Sequence, residues 1–495
     1  MIRNIAGAAN LYANGGALSL QNGAIQNTNL GNLTLNSDLD LRLDGNFAQN
    51  QLDTISANKF NANGNNINIS NILILEPTTE KSFSISPLGT GMDDSVRSAL
   101  AGAIQYTGGD IAYSPIYKYS ASYDPATAMM NFGLYGGGGG GGYDSFNPEV
   151  FASPVAAQLG GYLVQLNAYD NAFRNMDMYM LMTKEQRQAM KMRNRYATTN
   201  KDIVFDPTVT MYENKAGWFR PYATFENVSL NNGPKVSNVA YGSFFGAESE
   251  LYDLGHGWDG MWGVYGGYNG SHQAYDGVSI YQNGGTFGAV GMAYKGNFFT
   301  GLTANVGASA GEASSMFGHE DFAMLMSGVA SKTGYNWELA NGKFIIQPSL
   351  LMSYSFINTF DYRNAAGVSI DSDPLHAIQL EPGIKFIGNL KNGWQPYLGV
   401  SVVWNIMDRT HFQANNVALP NLSIDPFVKY GVGVRKSWGE RFTGFFQTYI
   451  TNGGRNGVGL QAGFRWTLGK SEQKQQKANQ TPELPKAKIT LKGNK

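Results

Sequence analysis

The sequence predicts an all-β chain: a twelve-stranded antiparallel transmembrane β-barrel, preceded by one long helix and a short β-solenoid-like segment. Twelve segments between residues 217 and 470 alternate between apolar and polar side chains, a period of two that is typical of strands. The chain contains 62 Gly, 27 Tyr and 27 Phe, and only 15% of its residues are charged. No stretch approaches the roughly 18 apolar residues of a membrane helix, so only strands could cross a membrane.

The alternation separates an apolar face from a face of glycine and polar residues. In the last segment Leu460, Phe464 and Trp466 share one face, while Gln461 and Arg465 share the other. This pattern indicates apolar side chains towards lipid and polar ones towards a lumen, although a soluble all-β domain remains the alternative. The predicted strands span residues 217–229, 239–253, 259–274, 280–295, 298–312, 320–338, 343–360, 374–388, 394–408, 423–438, 441–452 and 457–469.

The composition divides the chain into five parts. Short alternating runs such as "LDLRL" and "NINISNILIL", punctuated by Asn and Gly, indicate solenoid coils in the first part. The run "YGGGGGGGYDS" indicates a flexible linker in the second. The predicted parts are residues 1–88 (β-solenoid-like), 89–152 (Gly/Tyr-rich linker), 153–216 (helix and connection), 217–470 (barrel) and 471–495 (a disordered basic tail).

A single long helical pattern begins at Ser153, which with Pro154 forms an N-terminal capping signature. Apolar residues then recur at spacings of three and four, which places them on one helix face. Basic residues crowd the predicted C-terminal end, up to Arg195, and Gly160-Gly161 is a predicted weak point. The residues of the apolar face are Tyr162, Leu166, Tyr169, Phe173, Met176 and Met180.

The sequence offers no pattern for catalysis, for a cofactor or for a metal ion. The chain has no Cys, and its five His residues all follow residue 255. A Ser-His-Asp catalytic triad therefore cannot be built from residues 1–152. Asp38, Asp40 and Asp44 could bind Ca²⁺, but their spacing favours a solvated turn. The formal net charge of -1 gives no reason to expect nucleic acid as a partner.

Residues 153–470 resemble the translocator unit of a monomeric autotransporter, a type V secreted protein. The resemblance rests on the helix, the opening strand "GWFRPYATFE", the motifs "YGSFFGAESE" and "GGTFGAVGMAYKG", and the closing strand "GLQAGFRWTL". It implies a twelve-stranded outer-membrane barrel whose pore holds the helix, and a passenger tethered by that pore helix. We expect Glu248, Asp408, Lys429, Arg435 and Arg465 to line the lumen or its mouths. We also expect ion pairs there with the pore helix, whose basic end needs acidic partners.

The resemblance also implies that the last strand is read by the barrel-assembly machinery. Gln461, Gly463, Trp466 and Leu468 occupy the positions of that family's assembly signal. The implied partners are outer-membrane lipid, the barrel-assembly machinery, periplasmic chaperones and an unidentified surface ligand. Asn167, Asn171 and Asn175 stand apart in the helix, so self-cleavage at an Asn-Asn pair is not predicted.

The predicted function is export and anchoring of an N-terminal β-rich passenger at the cell surface, without enzymatic activity, for adhesion or surface interaction. Two alternatives remain: a porin-like outer-membrane channel, and the C-terminal part of a longer enzyme-bearing autotransporter. The first residues, "MIRNIAGAANLYANGG", do not form a convincing signal peptide. We therefore expect an export signal upstream of Met1, if the chain is exported.

Overall fold

The computed structural model describes residues 2–3, 9–136, 142–180, 215–249, 251–409, 411–438 and 442–467. Within these ranges the chain forms an N-terminal solenoid with a capping sheet, a helix, and a closed antiparallel barrel that surrounds the helix. No helix in the described ranges is long and apolar enough to cross a membrane. The predicted basic tail lies outside the described residues.

The first part of the chain forms two parallel sheets, as expected for stacked solenoid coils. Leucine and isoleucine recur at every second position of these strands and fill the space between the sheets; Leu30, Leu41 and Ile69 are fully buried. One sheet contains Ile2–Arg3, Ala17–Ser19, Leu39–Asn46, Ile67–Glu76 and Ile104–Tyr106; the other contains Ala9–Ala13, Asn27–Leu35 and Thr54–Asn61.

The predicted linker over residues 89–152 is not what the structure contains. A helix, α1 (Asp94–Ala103), covers the solenoid, and an antiparallel sheet closes it, formed by Ser82–Ile85, Ile111–Tyr113, Lys118–Asp124 and Met129–Leu134. Phe47 of the solenoid contacts Phe83, Tyr119 and Phe132 of this sheet, with ring centroids 4.6 to 5.1 Å apart. The glycine run predicts a linker, but the two short strands next to it alternate, and their inward side chains Tyr119 and Phe132 complete this aromatic cluster.

The helix begins earlier than predicted. The side chain of Asn147 accepts a hydrogen bond from the Glu149 backbone at 3.3 Å, and Pro148 follows as the first helical residue. This is the capping signature predicted for Ser153 and Pro154, which instead lie fully buried within the helix. The lumen helix, as we call it, consists of Pro148–Phe151 (3₁₀), Ala152–Val155 (α), Ala156–Tyr162 (π) and Leu163–Met180 (α).

The barrel has the twelve antiparallel strands that the sequence predicts, each overlapping its predicted span. The first strand pairs with the last, Tyr222 opposite Gln461, so the sheet closes on itself. In lipid this closure is needed because an open edge would leave backbone groups without partners. The strands are β1 (Ala216–Asn231), β2 (Lys235–Glu248), β3 (Trp258–Tyr275), β4 (Val278–Lys295), β5 (Phe298–Ser315), β6 (Gly318–Tyr335), β7 (Phe344–Thr359), β8 (Leu375–Gly388), β9 (Trp394–Arg409), β10 (Phe427–Trp438), β11 (Phe442–Gly453) and β12 (Arg455–Thr467).

Large apolar side chains cover the outside of the barrel. Leu302, Phe287 and Phe245 are each about 60% exposed on this face. An aromatic girdle lies at one end, where Phe464 stacks on Phe442 with centroids 5.8 Å apart and also contacts Trp466 at 5.6 Å. An apolar band bordered by aromatic residues is the lipid-facing surface of a membrane barrel.

The opposite end of the barrel, which we call the mouth, is covered by its two long loops. Residues 360–374 and 411–426 form a small sheet from Tyr362–Arg363, Ser369–Ser372, Phe412–Ala414 and Val417–Ala418. Ile370, Phe412 and Leu422 of these loops are buried in the same apolar core as the start of the lumen helix. The N-terminal part therefore sits on the mouth and shares a core with it.

Two buried aspartates tie successive solenoid turns together. Asp53 accepts hydrogen bonds from the backbone N–H groups of Gln26 and Asp44, at 2.8 and 2.7 Å. Asp44, predicted to lie in a solvated turn, is fully buried and accepts from Asn22 and Gly23, both at 2.7 Å. Burial raises the pKa of Asp53 to about 6. The two backbone hydrogen bonds lower this pKa, but their effect is smaller than that of burial.

We expect this group to make the N-terminal part more stable as the pH falls. The raised pKa means that the folded state takes up a proton more readily, so stability is gained below about 6 and lost as the pH rises through that value. In calorimetry of the purified chain, the N-terminal transition should move to higher temperature between pH 7.5 and pH 5. Asp53→Asn should remove this shift and lower stability throughout, because an amide offers one acceptor oxygen for two donors.

Asp40→Asn is the matched control for this experiment, since Asp40 lies in the same solenoid and is only half-buried. It should keep the pH dependence of the wild type. An unchanged pH dependence in Asp53→Asn would rule out Asp53 as its source.

Candidate functional site: the helix-filled barrel lumen

One face of the lumen helix packs on the wall formed by β1 to β7. Tyr169, Phe173 and Met176 are fully buried there. The Tyr169 hydroxyl donates to the Tyr354 carbonyl oxygen at 3.0 Å and lies 3.0 Å from the Ser355 hydroxyl. The wall residues in this apolar cluster are Trp218, Tyr222, Phe244, Leu251, Met261, Tyr265, Val290, Met292, Tyr294, Phe299, Ala330 and Leu351.

Glycines in the wall and in the helix allow this close approach. A Cβ at Gly328 would overlap the Tyr169 hydroxyl, and one at Gly301 would lie 3.0 Å from the Phe173 ring. On the helix, a Cβ at Gly160 would overlap the side-chain amide of Gln282. Gly160 lies in the π-helical turn, which widens the helix where it meets the wall. The predicted weak point is thus a point of contact.

The other helix face is polar and faces β10 to β12. Asp170 and Arg174 form an ion pair at 2.5 Å, one turn apart. Arg174 also donates to Gln447 of β11, and Gln461 of β12 donates to Asp170 at 3.4 Å. These contacts fix the rotation of the helix, because its apolar and polar faces can each meet only one side of the lumen.

Ion pairs across the lumen wall join strands that are distant in sequence. Arg455 of β12 donates to both carboxylate oxygens of Glu226 in β1, at 2.7 and 2.9 Å, and both residues are buried. Arg465 and Glu248 form a second buried pair. A buried carboxylate needs such a partner, since removing a charge from water is costly. These pairs lie at or next to the closing seam between β1 and β12.

At the mouth, the lumen helix is tied to the rim by hydrogen bonds. Gln158 donates to the Leu422 carbonyl oxygen at 3.1 Å, and the Tyr162 hydroxyl donates to the Asn405 side chain at 2.7 Å. Glu149 accepts from the Ser315 hydroxyl at 2.7 Å and from a backbone N–H of loop 360–374. Just before the helix, the Tyr143 hydroxyl donates to Asp276 at 2.6 Å.

The structure places most of the predicted helix residues in the lumen. Tyr162, Tyr169, Phe173 and Met176 are fully buried, and Leu166 packs against them. The side chain of Met180 and the basic end of the helix lie outside the described residues, so the predicted pairing of that end stays a prediction.

The residues of the predicted assembly signal occupy both faces of β12. Gln461 faces the lumen, Trp466 belongs to the outer girdle, and Leu468 lies outside the described residues. A Cβ at Gly463 would come within 2.8 Å of the Arg220 side chain, which lies over the Phe445 ring. Local packing therefore requires Gly463, independently of any recognition by the barrel-assembly machinery.

Of the other charges expected in the lumen, Glu248, Lys429, Arg435 and Arg465 face it, and the side chain of Asp408 is not described. Sequence reasoning missed Glu226 and Arg455, although both lie in phase with lumen-facing residues of their strands. Among the described residues, no group of three or more His, Asp or Glu side chains is placed to hold a metal ion.

A closed barrel with an apolar outer band, filled by a helix that continues into a domain above its mouth, is an outer-membrane type of barrel. Residues 217–446 match the model of the autotransporter β-domain, and this C-terminal barrel belongs to that family. Domains of this family are membrane barrels of the outer membrane, not enzymes, and serve the export of a passenger.

Solved structures similar to this chain include three autotransporter barrels. The β-domain of Bordetella BrkA is 17% identical with a TM-score of 0.43, covering 52% of this chain and 100% of its own. The transport unit of Escherichia coli AIDA-I is 14% identical with a TM-score of 0.46, and the match covers 58% of this chain and 100% of that structure. The translocator domain of Neisseria meningitidis NalP is 11% identical with a TM-score of 0.43, and the match covers 60% of this chain and 97% of that structure. No curated protein matches the chain.

We expect Gly160→Ala to loosen the helix in the lumen, because the new methyl group overlaps Gln282. Overpacking of this kind costs about 1–3 kcal/mol. The purified protein should unfold at lower temperature and show higher conductance in planar bilayers. Gln282→Ala removes the overlapping amide, so the double variant should return towards the wild type.

Gly102→Ala in α1 is the matched control, because nothing lies within 4 Å of a Cβ at that position. It should leave the conductance unchanged and should not lower the unfolding temperature, because Ala favours a helix more than Gly does. If Gly160→Ala behaves in the same way, contact with the wall does not hold the helix.

We also expect Arg455→Met to destabilise the barrel strongly. It leaves Glu226 buried without its main charge partner, and breaking a buried pair costs about 3–5 kcal/mol. The double variant Glu226→Gln, Arg455→Met removes both charges and should recover most of the loss in a heat-unfolding assay on gels. Equal losses in the single and double variants would show that packing, rather than charge, is responsible.

Proposed function

We propose that this barrel exports residues 1 to about 152 and anchors them on the outside of the cell, where they mediate adhesion or another surface interaction. The observation that carries the proposal is the continuous path of the chain. The solenoid and its capping sheet sit on the mouth, and the segment after them enters the lumen as a helix.

The filled lumen favours a translocator over a porin-like channel. A solute channel needs an open passage, whereas here the helix and the loops at the mouth occupy it. The contacts of the helix with both sides of the lumen support a permanent anchor. Family membership supports insertion by the barrel-assembly machinery, with help from periplasmic chaperones, into outer-membrane lipid.

An adhesive role is supported by what the N-terminal part offers. It is a rigid stack of coils with asparagines along one corner, where Asn36 donates to Asn14 at 2.8 Å. Repetitive polar surfaces of this kind suit binding to other surfaces. We propose that the passenger binds an extended ligand on a neighbouring surface and has no catalytic role.

The absence of cysteine allows a direct test of the topology. Lys59→Cys places a thiol on the exposed solenoid, and Lys343→Cys places one at the girdle end of the barrel. A membrane-impermeant maleimide should label the first in intact cells and the second only after the outer membrane is permeabilised. Labelling of both, or of neither, in intact cells would contradict surface display.

Adhesion needs a separate test. Cells carrying the full chain should bind coated surfaces or aggregate more than cells carrying the chain without residues 9–136. Equal binding by strains with equal barrel levels would rule out adhesion without affecting the export result.

A further inference from the structure

Large apolar side chains do not cover the lipid-facing surface of the barrel evenly. Over β3 to β6, close to the girdle end, this surface contains a groove of about 470 Å³. The groove is lined mainly by glycines and apolar side chains and opens outwards, away from the lumen helix. We call it the wall groove.

The floor of the wall groove consists of small residues on the outer face of the sheet. Gly260 of β3 lies opposite Ala293 of β4, and Ala293 lies opposite Thr300 of β5. Gly291 precedes Ala293 by two positions and is therefore on the same face. A Cβ at Gly291 would point into open space, since the nearest atom, the Met261 carbonyl oxygen, is 4.0 Å away. The depression exists because the side chains are small here.

Large side chains enclose this floor. Trp262 and Leu302 are the two cross-strand neighbours of Gly291, and they are 56% and 62% exposed on the outside of the barrel. Leu254 closes another side, because its Cδ1 atom lies 2.6 Å from the position of a Cβ at Gly260. Water is a poor occupant of such a groove, since glycines and apolar side chains offer it few hydrogen-bond partners. A hydrocarbon chain from the bilayer is the suitable occupant.

A cation lies at the girdle end of the wall groove. Lys295 follows Ala293 by two positions on the same face of β4, and its ammonium group lies 5.5 Å from the centre of the Trp258 ring. Phe298 lies opposite Lys295, and its ring contacts that of Trp258 with centroids 6.1 Å apart. Aromatic residues and lysines gather in this way where a membrane meets water.

The charge of Lys295 is open to a lipid head group. Its side chain is exposed, and within the described part of the chain it forms no ion pair. The groove therefore combines an apolar floor with a cation at the level of the head groups. This is the arrangement that complements a lipid with a negatively charged phosphate.

We propose that the wall groove binds one anionic glycerophospholipid of the surrounding bilayer, with an acyl chain between Trp262 and Leu302 and the phosphate beside Lys295. Burial of the chain on the small residues supplies the affinity, and the lysine selects the head group. The bound lipid completes the outer surface where the side chains of the wall are small. The proposal concerns this surface alone and does not depend on what the barrel exports.

Native mass spectrometry of the purified full-length chain in detergent, with phosphatidylglycerol added, tests this inference. We expect saturable retention of one lipid per chain, and an unfolding temperature that rises with the same saturation. Gly291→Phe fills the groove and should abolish both effects. Lys295→Met should weaken retention by about fivefold, the contribution of one lysine at a membrane surface. It should also remove the preference for phosphatidylglycerol over phosphatidylcholine that we expect of the wild type.

Gly285→Phe is the matched control, because Gly285 lies on the same outward face of β4, nearer the mouth, and no atom is closer than 3.5 Å to a Cβ there. It should retain the lipid as the wild type does. Equal retention by both phenylalanine variants, or loss in both, would overturn the proposal. A dimer without bound lipid that Gly291→Phe disrupts would assign the groove to a second copy and also overturn it. If Gly291→Phe does not fold, Lys295→Met decides, and an unchanged head-group preference sinks the idea.

Discussion

The requirement that every strand in the membrane find a partner on both sides governs the rest of this structure. A sheet meets that requirement only by closing, and here β1 and β12 close it, from Ala216 opposite Thr467 to Val228 opposite Arg455. Closure sets a lumen whose width is fixed by twelve strands. The chain then fills that lumen with its own helix, and nearly every special feature of the interior, from wall glycines to buried ion pairs, follows from fitting one to the other.

The interior separates two kinds of contact. Tyr169, Phe173 and their aromatic partners provide apolar packing on one side, where glycines let the backbone of the wall come close. On the other side Asp170 and Arg174 meet Gln461 and Gln447 through hydrogen bonds. Apolar packing supplies most of the free energy of association, while the polar side selects one orientation.

The sequence was sufficient for the barrel because its signal is repeated. Each strand alternates along its whole length, so an error of one residue at a strand end does not change which face the other residues of that strand occupy. The pattern therefore predicts all twelve strands. The capping sheet was missed because its strands are short and lie beside a glycine run that dominates local composition. Asn147-Pro148 and Ser153-Pro154 carry the same capping signature, and only packing at the mouth decides between them.

The ion pairs illustrate a limit of a different kind. Glu226 and Arg455 are 229 positions apart in the chain, and no local pattern relates them. Once β1 and β12 are known to close the barrel, their register places Arg455 opposite Val228, two residues from Glu226 on the same face of the sheet. The long-range register is a property of the closed sheet, which a single sequence contains only implicitly.

The ties at the mouth have a mechanical consequence. A force that pulls on the solenoid is transmitted along the chain to Tyr143 and Glu149 before it reaches the helix in the lumen. The side chains of these two residues are hydrogen-bonded to Asp276 and Ser315 on the rim of the barrel. Tension is therefore passed sideways into β-strands, whose hydrogen bonds are loaded together in shear, before it reaches the axis of the helix. The hydrogen bonds at the mouth therefore bear an external force first, and the helix in the lumen is not unwound turn by turn.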